Sequence, residues 1–140
     1  MLDRVADIAS SVGLEYDFDA MQHTSTIKAH QLLHYAKAHG LQTEMKERLL
    51  KAYFEQGRHV GRVEDLADLA AEIGLDRDEA VHVLNEDAYL TDANADKEQA
   101  FEYGISGVPF FVIDGKYAVS GAQESATFEQ ALNTAWNERV

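Results

Sequence analysis

Residues 104–123 read GISGVPFFVIDGKYAVSGAQ, and this stretch decides the fold. It contains the only proline of the 140-residue chain, Pro109, followed by the apolar run 110–113. An Asp-Gly pair at 114–115 separates that run from a second strand-like segment at 116–120. Because a type I′ turn requires positive φ at both central residues, this pair predicts a β-hairpin. We therefore expect two antiparallel strands, over 110–113 and 116–120.

The rest of the chain has the hydrophobic spacing of helices. Apolar residues recur at intervals of three and four, and Gly40, Gly74 and Gly104 stand where helix C′ residues stand. The predicted helices cover 1–12, 26–39, 44–56, 63–73, 77–86, 93–103 and 126–138. Their expected capping residues are Thr24 or Ser25, Thr43, Asp76 in a capping box with Glu79, Thr91 or Asp92, and Ser125 or Thr127. The chain is thus predicted to be mostly helical with one small sheet.

The composition excludes several classes of function. The 140 residues contain no cysteine, which excludes a disulfide, a zinc–thiolate site, a cysteine nucleophile and a CxxC redox motif among them. The formal net charge of −13 argues against binding to nucleic-acid phosphates, which requires clustered Lys and Arg. No apolar run approaches the ~20 residues of a membrane span. Since the acidic, amphipathic first residues are unlike a signal peptide, we expect a cytoplasmic protein.

Candidate site residues are few when judged from the residues alone. His30 and His34 stand four residues apart on one helix face, the spacing of a pair of metal ligands. No third ligand is readable nearby, so packing or hydrogen bonding is favoured over a metal site. The aromatic pairs at 53–54 and 110–111 are expected in the core, with the second pair on opposite faces of its strand. No serine has a readable base partner, so no catalytic residue is assigned.

Several motifs together resemble a known family. The order of helix, GVPFFV, turn, strand, SGAQ and helix resembles the C-terminal part of the DsbA-like thioredoxin proteins. The resemblance is to the FrnE-type branch, which neighbours the 2-hydroxychromene-2-carboxylate isomerases. AHQLLHYA at 29–36, AYFEQG at 52–57 and LADLAAEIGL at 66–75 resemble that family's helical insertion. The resemblance implies an α/β, thioredoxin-like C-terminal half over 104–140, preceded by a helical insertion and connecting helix over 1–103.

The resemblance also implies what the chain lacks and what it binds. The family's first thioredoxin half, with its two strands and the helix bearing a CxxC-type motif, has no counterpart here. We therefore expect a relative of the DsbA/FrnE-type thiol-disulfide oxidoreductases that is inactive alone. Gly107, Val108 and Pro109 are expected to form the family's cis-proline loop and to bind substrate, and His30 to line the substrate side of the insertion. No cofactor is expected, except glutathione if the isomerase branch is the nearer one.

Two other interpretations stay open. The chain could be a non-catalytic binding or assembly module, which an authentic start at Met1 would favour. It could also be a relative of the glutathione-dependent isomerases or transferases, which an upstream serine in place of the first cysteine would favour. Because a lone two-stranded hairpin is marginal in water and has unpaired edges, we expect a homodimer. The resemblance implies a thiol or disulfide peptide, or a small molecule, as the substrate.

Overall fold

A computed structural model describes residues 1–139 and divides the chain into two compact units, Met1–Asp96 and Lys97–Val140. The division falls within the sixth helix. The functional boundary that the resemblance places between residues 103 and 104 stays a prediction. No helix among residues 1–139 is long and apolar enough to cross a membrane.

The first unit is helical. Its elements are α1 (Leu2–Ser11), α2 (Ile27–Ala38), α3 (Gln42–Phe54), α4 (Val63–Glu72), α5 (Arg77–Asn85) and the first part of α6 (Leu90–Glu102). Helix α2 is central, since it packs against α3, α4 and α5. The largest fully buried apolar side chains of the core are Leu32, Tyr35, Met45, Leu66, Leu69 and Leu84. The predicted order of helices is confirmed for this part of the chain.

The second unit carries the hairpin. Strands β1 (Phe110–Ile113) and β2 (Tyr117–Ser120) pair antiparallel, with Phe110 opposite Ser120 and Ile113 opposite Tyr117. Asp114 and Gly115 have φ of 55° and 65°, as the turn prediction requires. The second strand begins one residue later than predicted, because the residue before Tyr117 donates its N–H to the Ile113 carbonyl and so belongs to the turn.

One helix, α7 (Ser125–Asn137), packs on both strands. Phe111 meets Phe128 of this helix edge to face, with ring centroids 4.9 Å apart. Phe111 nevertheless stays 42% exposed, so the expectation that it lies in the core is wrong within residues 1–139. A sheet of two strands offers too little width for α7 to cover the ring.

The N-termini of the helices can be compared with the predicted capping residues. Asp76 caps α5, since its Oδ1 accepts a hydrogen bond from the Glu79 N–H at 2.8 Å. Glu79 does not complete the capping box, because its carboxylate accepts a hydrogen bond from the Tyr35 hydroxyl instead. Helix α3 begins at Gln42, after a three-residue link from the end of α2, so Thr43 lies inside the helix. The predicted caps at α2, α6 and α7 were also wrong, since the structure places Thr26 before α2, Thr91 and Asp92 inside α6, and Glu124 before α7.

Candidate functional site

The loop that precedes β1 contains three of the four predicted substrate-binding residues, Gly107, Val108 and Pro109. The Val108–Pro109 peptide bond is cis, as the family resemblance implied. The Pro109 carbonyl accepts a hydrogen bond from the Gly121 N–H at 2.8 Å, which extends the pairing of the hairpin by one residue. Pro109 therefore fixes the loop to the sheet at the point where β1 begins.

Val108 projects from this loop into solvent. Its relative exposure is 91%, and its backbone N–H and carbonyl make no hydrogen bond to any of residues 1–139. The neighbouring Gly107 is open as well, since a Cβ added there would meet nothing within 4 Å. The loop thus presents a main-chain donor and a main-chain acceptor beside the start of a strand. An extended chain can pair with such groups without using side chains.

His30, the fourth predicted residue, lies in the first unit and lines a groove of about 290 Å³. The floor and walls of the groove come from α2, from α3 and from the loop that follows α3. The apolar residues that line it are Ala29, Leu33, Leu49, Leu50, Tyr53, Phe54 and Val60. Tyr53 and Phe54 are half-buried and stand in the last turn of α3, where the groove opens. Tyr53 packs against the core, as expected, and also lines the groove.

The segment before α2 holds the aromatic wall of the groove in place. The Tyr16 ring stacks on Phe54, with centroids 5.0 Å apart, and the Asp17 N–H donates to the Phe54 carbonyl at 2.8 Å. Gly57 has a positive φ of 57°, and a Cβ there would come within 2.8 Å of the Ala20 carbonyl oxygen. This close approach requires glycine and fixes the loop after α3 against the same segment.

Two basic side chains, Lys46 and His30, complete the lining of the groove. Both are exposed, and neither side chain makes an ion pair or hydrogen bond within residues 1–139. Lys28 differs, since it lies 2.6 Å from the Asp87 carboxylate and donates to the Leu84 carbonyl. The groove therefore combines an apolar surface with an ammonium group and an imidazole, neither of which is paired with a carboxylate within residues 1–139.

His34 does not share the surroundings of His30. Its Nε2 lies 2.7 Å from Asp96 Oδ2, which gives it a hydrogen-bonding partner far along the chain. No group of three or more His, Cys, Asp or Glu side chains within residues 1–139 is arranged to hold a metal ion. The two histidines do have the predicted helical spacing, but the hydrogen bond of His34 to Asp96 connects α2 to α6.

Sequence reasoning missed the α3 side of the groove. Lys46, Leu50 and Tyr53 stand at intervals of four and three along α3, which places them on one face of the helix. The same spacing puts His30 and Leu33 on one face of α2. This pattern could have indicated an apolar face with a basic end, had α2 and α3 been known to pack together.

Comparisons with known proteins agree with the fold. A sequence model of the DSBA-like thioredoxin domain matches residues 1–133. The uncharacterized protein YwbO of Bacillus subtilis is 28% identical over 131 residues, which are 92% of this chain and 65% of that protein. The crystal structure of a probable DsbA oxidoreductase from Streptomyces coelicolor is 39% identical, with a TM-score of 0.90 over 99% of this chain and 60% of that one. The chain thus spans less than two thirds of both relatives.

Proposed function

We propose that this chain, which belongs to the DSBA-like thioredoxin domain family, binds the extended peptide substrate of a DsbA/FrnE-type thiol-disulfide oxidoreductase. Gly107, Val108 and Pro109 form the binding loop in this proposal. The catalytic thiols come from outside the 140 residues, which contain no cysteine. The observation that carries the proposal is that Val108 is exposed and that its main chain makes no hydrogen bond within residues 1–139.

Main-chain pairing suits a substrate that varies in sequence. In an antiparallel pair, one residue can donate its N–H and accept at its carbonyl with a single partner residue. Affinity then comes from the backbone, and side chains add specificity only where pockets exist. Val108 offers both groups, and its own side chain points away from any packed surface among the described residues. A disulfide-bearing segment of an unfolded protein is a substrate of this kind.

The site can be located by titrating the 15N-labelled chain with an unstructured heptapeptide and recording amide chemical shifts. The Val108 and Gly107 amides should move most, because their N–H groups lie at the proposed interface. The amide of Val119, a buried residue on β2, serves as the internal reference and should move little. Shifts confined to other parts of the chain, or no shifts at saturating peptide, would contradict the proposal.

A redox assay tests the assignment of the chemistry. Reduction of insulin by this chain should stay at background, since no thiol is present to attack the disulfide. The same chain should still compete for peptide when added to an active oxidoreductase of the family. Insulin reduction above background would show that the chain uses a chemistry other than thiol exchange.

Assembly is a second candidate function, favoured by the apolar surface of the second unit. Leu132 and Trp136 of α7 are 55% and 69% exposed, and Val112, on the face of the sheet opposite α7, is 37% exposed. The sheet has two strands among residues 1–139, so its edges are unpaired there. We propose that a second copy of the chain covers the α7 surface and a sheet edge in a homodimer. Light scattering should then give twice the 15.6 kDa of the chain, and a Trp136→Ser variant should shift toward the monomer. A monodisperse monomer of the unaltered chain would exclude this arrangement.

The remaining family assignments are proposals of the same kind. Glutathione would use the Val108 main chain in the isomerase-like interpretation, so a titration with glutathione separates that branch from the peptide-binding one. Shifts at Val108 with glutathione and none with peptide would favour the isomerase relatives. The FrnE-type branch, the cytoplasmic location and the absence of the first thioredoxin half stay predictions.

A further inference from the structure

We propose that the groove between α2 and α3 binds a small molecule that has an apolar body and a single carboxylate. Lys46 and His30 would hold the carboxylate, and the leucines and aromatic rings of the groove would hold the body. This inference goes beyond the proposed function and takes up the expectation that His30 lines the substrate side of the helical insertion. It does not depend on the main chain of Val108.

The apolar character of the groove indicates that the ligand has an apolar body. Its lining is almost wholly aliphatic and aromatic, and Leu50 remains 46% exposed there. Burying apolar surface is favourable in proportion to the area removed from water. A ligand that covers Leu50 and Tyr53 therefore gains from each part of its own apolar surface that it removes from water. A fully polar metabolite would gain nothing from the same walls.

The basic side chains of the groove indicate that the ligand has a carboxylate. The chain has 25 aspartates and glutamates against 12 lysines and arginines, and many of these cations are paired, as Arg48 and Arg58 are with Glu72. Lys46 is unpaired, and none of the described residues that line the groove is acidic. A carboxylate at the groove would have the Lys46 ammonium and the His30 imidazole as partners, and no acidic side chain of the lining would repel it. Because the chain as a whole is strongly acidic, this preference for an anion is confined to the groove.

The size of the groove limits the occupant. Its volume of about 290 Å³ is at the lower end of the ligand pockets found in proteins, which begin at roughly 300 Å³. A medium-chain or aromatic carboxylic acid fits these dimensions better than a folded partner would. The chemistry of the groove thus specifies a small amphiphilic acid.

Decanoate and the neutral decan-1-ol are suitable probes, with binding to the whole chain measured by isothermal titration calorimetry below the micelle range. Decanoate should bind more tightly than the alcohol. Lys46→Met keeps the apolar stem and removes the charge, so it should weaken decanoate binding by about two- to five-fold, the size of an exposed ion-pair contact, and leave the alcohol unchanged. Lys51→Met is the matched control, because Lys51 is also exposed on α3 and has no ion pair within residues 1–139, but does not line the groove.

Leu50→Glu tests the location independently of Lys46. Leu50 is exposed enough for the variant to fold, which far-UV circular dichroism would verify, and a carboxylate there should abolish binding of both probes. Equal affinity for decanoate and decan-1-ol, equal losses in Lys46→Met and Lys51→Met, or no binding at all would overturn the inference. Peptide-induced shifts at Val108 report separately on the proposed function, so the two can fail independently.

Discussion

Replacing Tyr35 with phenylalanine should change how the stability of the helical unit depends on pH. The Tyr35 side chain is 1% exposed, and its hydroxyl donates to Glu79 Oε2 over 3.1 Å. Burial, followed by this hydrogen bond, raises the pKa of Tyr35 from 10.0 to about 12. A tyrosine with a higher pKa in the folded state contributes stability that is complete below its unfolded pKa, and this stability is lost as the pH rises toward the folded pKa.

The magnitude follows from the two pKa values. At about pH 11 most unfolded chains have an ionised tyrosine at this position and most folded chains do not, which lowers the free energy of unfolding by about 1.4 kcal/mol relative to about pH 8. The Tyr35→Phe variant has no hydroxyl to ionise at this position, so its free energy of unfolding does not fall for this reason. At about pH 8 the variant should be less stable by about 1 kcal/mol, because it lacks a hydrogen bond while the exposed Glu79 regains water. The advantage of the unaltered chain should therefore vanish near about pH 11.

Urea unfolding followed by circular dichroism at the two pH values measures this difference directly. Tyr103→Phe is the control, since the Tyr103 side chain is 46% exposed and has no hydrogen bond within residues 1–139. Its difference from the unaltered chain should be small and independent of pH. If the difference for Tyr35→Phe were the same at both pH values, the buried hydroxyl would not be the group that titrates, and the reasoning would fail.

Three further substitutions test the helical unit. Asp76→Ala should cost about 1 kcal/mol in urea unfolding, because it removes the side-chain cap from the Glu79 N–H; an exposed Asp78→Ala control should cost much less. Leu66→Ala should cost about 2–5 kcal/mol, since Leu66 is fully buried and leaves a cavity; a loss under 1 kcal/mol would mean that the core collapses around it. Glu72→Gln should flatten the acid limb of the plot of stability against pH. Hydrogen bonds from Arg58 and a second arginine hold the pKa of Glu72 below 4.5. The stability that the Glu72 carboxylate contributes above that pH is therefore lost as the pH falls through the lowered pKa. An unchanged acid limb would contradict the assignment.

The local parts of the fold were predictable from the sequence. The Asp114–Gly115 pair specifies a turn through its own backbone preferences, and the structure has the positive φ values that the turn needs. The helices follow from spacing within ten or so residues, and Asp76 is a cap that acts on a residue three positions away. Such features depend on neighbours in sequence, so the sequence carries their signal.

The contacts that shape the candidate sites were not predictable in the same way. Tyr35 and Glu79 are separated by 44 residues, and His34 and Asp96 by 62. The groove needs Tyr16 against Phe54, and α2 against α3, before Lys46 and His30 share one surface. Hydrophobic spacing shows that each helix has an apolar face but does not show which faces meet.

The affinity of an extended peptide for two Val108 variants tests the central claim most directly. Val108→Ala changes only an exposed side chain and should leave the affinity within about two-fold, because main-chain groups make the contact. Val108→Pro removes the backbone N–H and should weaken binding by about ten-fold, as expected for the loss of one main-chain hydrogen bond at an interface. Equal affinity in the two variants, or a larger loss in Val108→Ala, would contradict the account.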